Sequence, residues 1–199
     1  MKNLSITIAF VFLACAFPNL TNGSTCESAK ITSVAEAQDY LRHMSSSDSP
    51  AAVPCVELAF KTIGSLPPSE AAKLLVGHLD FKRPLSASER LGIFMHEDRG
   101  LLYPAVQALF DLGSAAETAL VQFIGSDYDE NSIAHVNAVH TLELIEHGDA
   151  PKVVQLLVNE SKTTTDNSVA ANLRSTAKSF SGKSCLGNLR KKCDAILTQ

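Results

Sequence analysis

No C-x-x-C or H-x-x-x-H pair occurs anywhere in the chain, so the ligand spacing of a structural zinc site is missing. Also missing are a G-x-S-x-G elbow, a Walker A loop, an H-E-x-x-H pair and a G-x-G-x-x-G turn. With those templates gone, the sequence assigns no catalytic residue, no metal ligand and no cofactor, and it favours a non-enzymatic role. Lysine and arginine form no stripe, and 21 acidic side chains against 17 basic ones give a net charge of −4. Phosphate neutralisation needs clustered cations, so nucleic acid is not the expected partner. The one basic run, Lys183 through Lys192, sits on the last expected helix, where positive charge suits the macrodipole. Stretches that alternate apolar with polar residues are absent, which argues against a sheet.

Charge is also absent between Leu4 and Phe17, directly after the basic start Met1-Lys2-Asn3. A run of about 14 uncharged residues falls short of the about 20 that span a bilayer, but it suits the core of an export signal. The expected organisation is a signal peptide over 1–23 and a single all-α domain over 24–199, secreted or periplasmic, with no transmembrane helix in the mature chain. Cleavage after Ala16 or after Gly23 would leave a soluble product. Leu13-Ala14-Cys15 resembles a lipoprotein box in part, and cleavage before Cys15 would leave a lipid anchor there, the alternative being an envelope-associated lipoprotein acylated at Cys15.

Loss of the leader removes Cys15 and leaves Cys26, Cys55, Cys185 and Cys193. An even count in an exported chain points to disulfides. Three pairings are possible, of which Cys26 with Cys55 and Cys185 with Cys193 is the simplest. Eight residues of helix rise about 12 Å and bridged Cα atoms lie within about 7 Å, so the second pair needs a break in the helix. Gly187 stands where that break would fall. The alternative use of Cys193 is as a core thiol on a stripe with Leu186, Leu189 and Ile196.

The apolar period along the rest of the chain is close to 3.6. Val34, Ala37, Leu41 and Met44 predict a first helix. Val56, Ala59, Phe60 and Ile63, then Gly64, then Pro67-Pro68 with Ala71, Leu75 and Leu79, predict a helical hairpin. A second follows from Ala105, Ala108, Leu109 and Leu112, a Gly113-Ser114 turn, and Ala116, Leu120, Phe123 and Ile124. The third has Ala138, Val139, Leu142 and Ile145, then Gly148, then Pro151, Val153, Val154 and Leu157. Helices near Ser168 to Phe180 and Asn188 to Leu197 close the chain. Paired helices at such a spacing are the period of an α-solenoid.

Ala105, Ala108, Leu109, Leu112, Gly113, Ala116 and Leu120 resemble the A..AL..LG..A...L pattern of the HEAT-repeat superfamily. The first hairpin is similar and the third looser. The resemblance implies a short HEAT-like solenoid, an α-α superhelix of stacked antiparallel hairpins, and with it a macromolecule-binding role. Small residues at the seam would let helices approach closely, so phenylalanine at position 108 is expected to overpack it.

Three segments carry the chemistry there is. His140, Glu143 and His147 are spaced to share a helical face, which with His135 makes them the candidates for a metal-dependent or hydrolytic alternative. Asp127, Asp129, Glu130 and Asn131 open like a calcium loop, but Ser132 and Ala138 stand where glycine and glutamate are required, leaving helix capping as their use. The stretch from Phe81 to Leu101 exceeds an ordinary inter-repeat turn and is expected either to bind or to pack Phe94 and Met95 on the core. The function expected is an exported, non-enzymatic protein-interaction or scaffold module that binds another protein through its concave face or this loop.

Overall fold

The computed structural model describes residues 31–44, 49–86, 88–89, 99–126 and 129–199, and among these every regular element is helical. The leader, Cys15, Cys26, Phe94 and Met95 lie outside the described residues. None of the described helices is long and apolar enough to cross a membrane.

Punctuation in the sequence sets the helix ends. Helix α1 (Val34–His43) starts in a capping box, in which the Ser33 hydroxyl accepts the Glu36 N–H while the Glu36 carboxylate accepts the Ser33 N–H. Helices α2 (Val53–Gly64) and α3 (Pro68–Leu75) carry proline in their first turns, where a missing N–H costs nothing. A short α4 (Arg99–Leu102) leads into α5 (Pro104–Leu112), which Gly113 ends at φ +58°. Helix α6 (Glu117–Ser126) follows, then α7 (Ile133–Ile145), whose first turn is capped by Ser132. Gly148, at φ +77°, turns the chain into α8 (Ala150–Thr163), capped by Asp149. Asp166 caps α9 (Asn167–Ser184), and α10 (Asn188–Leu197) ends the chain.

The helices pack as neighbours along one continuous core. Helix α2 lies against α1, α3 and α5; α3 also reaches α5 and α6; α7 lies on α5 and α6. Beyond that point the order changes, because the main neighbour of α8 is α9 rather than α7. Helix α9 rests on α6 and α8, and α10 rests on α8. Leu75, Leu109, Leu120, Ile124, Leu142, Leu157 and Leu173 are fully buried along this line.

The approach of α9 to α6 depends on a residue that the apolar period does not single out. A Cβ at Gly125 would stand 2.7 Å from Val169 Cγ1 and 3.2 Å from Leu173 Cγ, and the Gly125 carbonyl accepts a hydrogen bond of 2.9 Å from Asn172 Nδ2. Leucine at position 125 is therefore expected to cost about 1–3 kcal/mol of stability by overpacking. Alanine at Gly64, where nothing lies within 4 Å, should be neutral or stabilising. Urea unfolding of the two variants checks the contrast.

Cys185 and Cys193 are joined, with Cα atoms 6.5 Å apart. The break in the helix falls where the spacing requires it: α9 ends at Ser184, and Gly187, at φ +56°, starts α10 in a new direction. Cys193 is buried, but Leu186 and Leu189 are exposed, so the stripe expected to make Cys193 a plain core thiol does not go inward. Cys55 is also disulfide-bonded. Its expected partner Cys26 is outside the described residues.

Position 108 needs correction as well. Ala105 and Ala116 are fully buried in the seam, but Ala108 is only partly buried and lines an open groove between α2 and α5. A larger side chain at 108 has that groove to enter, so overpacking belongs to 105 and 116.

Candidate functional site

Two polar ties hold the segment that begins at Phe81. Arg83 is only 4% exposed. Its Nε donates to the Leu101 carbonyl at 2.7 Å, one Nη to the Pro84 carbonyl at 3.2 Å, and the other Nη to Glu89 Oε1 at 2.7 Å. The Arg83 N–H also donates to the Leu102 carbonyl at 3.1 Å. One buried guanidinium thus fastens both ends of the 81–101 segment together, satisfying the rule that a buried charge must be paired.

Glu89 receives that guanidinium along with the Ser86 N–H, and these bonds hold its carboxyl down from 4.5 to about 2. A carboxyl whose folded-state value is depressed adds stability above its unfolded value and loses it as pH falls toward the folded one. The stability difference between the unaltered protein and Glu89→Gln should be full above about pH 4.5 and vanish near pH 2. Denaturant unfolding across that range measures it. Glu117 moves the other way: burial first, and then the negative charge of Glu146, push its carboxyl up. Glu146 is itself buried and ion-paired with Lys152, which fastens the turn from α7 to α8.

The second tie is made by α7, whose orientation is unusual. Its buried face includes three polar residues, His135, Asn137 and Thr141, while Ile133 is 51% exposed and Val136 and Leu144 are each 37% exposed. Asn137 and His135 reach groups on neighbouring elements, and Thr141 bonds within its own helix. Asn137 Nδ2 donates to the Leu79 carbonyl at 2.7 Å, and its Oδ1 accepts Arg99 Nη1 at 2.9 Å. Thr141 Oγ1 donates to the Asn137 carbonyl at 2.7 Å, and His135 Nε2 lies 3.3 Å from Thr176 Oγ1 on α9.

Because α9 packs on α6 and α8, it stands off from α7, and a cleft of about 240 Å³ opens between them. Val136, Val139 and Phe180 give the cleft apolar lining. Arg99, Lys183, Glu130 and Glu143 bring charge to it. His140 is held below its ordinary value, first by burial and then by the Arg99 charge, with Glu143 opposing. At neutral pH this imidazole is uncharged, a hydrogen-bonding group rather than a cation.

The sequence candidates separate here. His135, His140 and Glu143 line the cleft, whereas His147 lies past the end of α7 at φ +52° and lines a different groove beside Lys152 and Leu189. The helix stops at Ile145, so His147 leaves the helical face its spacing would give it. Among the described residues no group of three or more His, Cys, Asp or Glu side chains is placed to hold a metal ion. In the acidic loop, Ser132 accepts the His135 N–H at 3.0 Å as the helix cap, and Asp129 Oδ1 accepts the Asn131 N–H at 3.1 Å. Asp127 lies outside the described residues. Two contributors to the site, Arg99 and Asn137, were not singled out by motif or period. Their partners are distant in sequence, and the one local signal for Asn137 is a polar residue placed among apolar ones on a helix.

Comparison of the chain with protein-family models, with curated proteins and with solved structures found no match.

Proposed function

We infer that this is an exported, non-enzymatic interaction module built as a short HEAT-like solenoid, and that it engages another protein through the outer face of α7 and the adjoining cleft. The observation that carries this reading is the inversion of α7: Asn137 and Thr141 inside at 0% exposure, Ile133, Val136 and Leu144 outside. A helix whose most exposed side chains are all apolar suits a face that something else covers. The neighbour order supports the solenoid in part. First helices α2, α5 and α7 follow one another, as do second helices α3, α6, α8 and α10. The departure is α9, which leaves the first row to lie between α6 and α8. That departure opens the cleft, and the Phe81 to Leu101 segment contributes Arg99 to its wall.

The test is site-specific photo-cross-linking in the organism that makes the protein. A benzophenone side chain at Val136 should give one discrete cross-linked partner, and one at exposed Lys178 should not. In a chain that also carries Ile133→Glu and Leu144→Lys the product should disappear. A cross-link pattern indifferent to the position of the probe would defeat the reading.

A further inference from the structure

The guanidinium of Arg99 is anchored by the neutral amide of Asn137, which is itself fixed on the Leu79 carbonyl. Among the described residues none makes an ion pair to Arg99 or to Lys183 on the opposite wall. An arginine held by an amide keeps its charge available, whereas one held by a carboxylate has spent it; Arg83 is the second kind. Beside these two cations lies the apolar lining of Val136, Val139 and Phe180.

We propose that the cleft between α7 and α9 seats the C-terminal end of a partner polypeptide, its carboxylate on Arg99 and Lys183 and its last, apolar side chain on Phe180 and the two valines. This rests on the interaction reading above and names the partner's chemistry. Size selects a chain end over an internal acidic residue. A cleft of about 240 Å³ lies below the usual range of about 300–1,000 Å³ for a drug-sized ligand, so it takes little more than one residue. Within a polypeptide partner, only an apolar C-terminal residue brings a carboxylate and an apolar side chain on the same residue. An internal aspartate or glutamate brings its apolar neighbour on a different residue. Glu130 and Glu143 line the same cleft and repel a second carboxylate, so the chain end it takes carries one negative charge.

The probes are N-acetyl-leucine, N-acetyl-leucinamide and N-acetyl-aspartate α-methylamide, each titrated into the ¹⁵N-labelled protein and followed by amide chemical shifts. N-acetyl-leucine should move the signals of Val136, His140 and Phe180. The leucinamide, lacking the charge, should bind at least about tenfold more weakly, as expected for loss of a charge-assisted hydrogen bond. The aspartate derivative, with its carboxylate on the side chain, should also bind weakly. Arg99→Gln and Lys183→Gln should each weaken N-acetyl-leucine; Lys183 is exposed, so its exchange leaves the fold intact. Equal binding of acid and amide, equal binding of the aspartate derivative, or no shift with N-acetyl-leucine would overturn the proposal. Probe failure with a discrete cross-link at Val136 removes the chain-end seat and leaves the interaction reading standing. Probe binding without any cross-link overturns the interaction reading and the partner's chain end with it, leaving only a cleft that takes a small apolar carboxylate.

Discussion

Exchanging Leu142 for alanine is expected to lower the unfolding free energy by about 3–5 kcal/mol, the cost of deleting a fully buried leucine and leaving a cavity behind. Leu142 has 0% exposure on the inner side of α7, where that helix meets α5 and α6. A small domain has about 5–15 kcal/mol in total, so the variant would be only marginally folded at room temperature. Equilibrium urea unfolding followed by helical circular dichroism reads the change. A loss below about 1 kcal/mol would mean that α7 is not seated on that face.

Exchanging Arg83 for alanine should be nearly as severe, at about 3 kcal/mol, because it strips buried carbonyls of a charged donor and leaves Glu89 without its counter-ion. The loss has a local signature. Arg83 ties Pro84, Leu101 and Glu89 together, so amide hydrogen exchange should accelerate first around the start of α5, before α8 to α10 are affected. Lysine at the same position should not restore stability, since one ammonium cannot reproduce the fork that serves two carbonyls and a carboxylate. Uniform acceleration along the whole chain would contradict a clamp that acts on one segment.

Helices came readily from the sequence because two independent signals agree. The apolar period gives each helix, and Pro67-Pro68, Gly113 and Gly148 mark several of the ends. Joining Cys185 to Cys193 was the simplest of three pairings and required a break in the helix, which Gly187 supplies. Helix α7 shows where that logic stops. Its apolar residues lie on both faces, so the period identifies a helix without saying which side goes in. Ala138, Leu142 and Ile145 go inward as expected, but Val139 is left half-buried at the cleft while Asn137 and Thr141 take inner positions. What decides the orientation is hydrogen bonding to Leu79 and Arg99, groups 58 and 38 residues away along the chain. Arg83 was equally hidden, since a buried arginine and a surface one look alike until the carbonyls around it are placed. Pairing of α8 with α9 rather than α7 escaped for a related reason: hairpin grammar reads adjacent helices, and Gly125, which admits α9 to α6, lies inside a helix rather than at a turn.

The claim on which the function depends is that the outward apolar side chains of α7 serve a partner and not the fold. Urea unfolding of Ile133→Glu combined with Leu144→Lys tests it without knowledge of the partner. The acid falls at the helix N-terminus and the base at its C-terminus, both favourable for the macrodipole. An interaction face predicts a stability within about 0.5 kcal/mol of the unaltered protein, as for ordinary surface positions. A loss of about 2 kcal/mol or more would place those side chains in the core and contradict it.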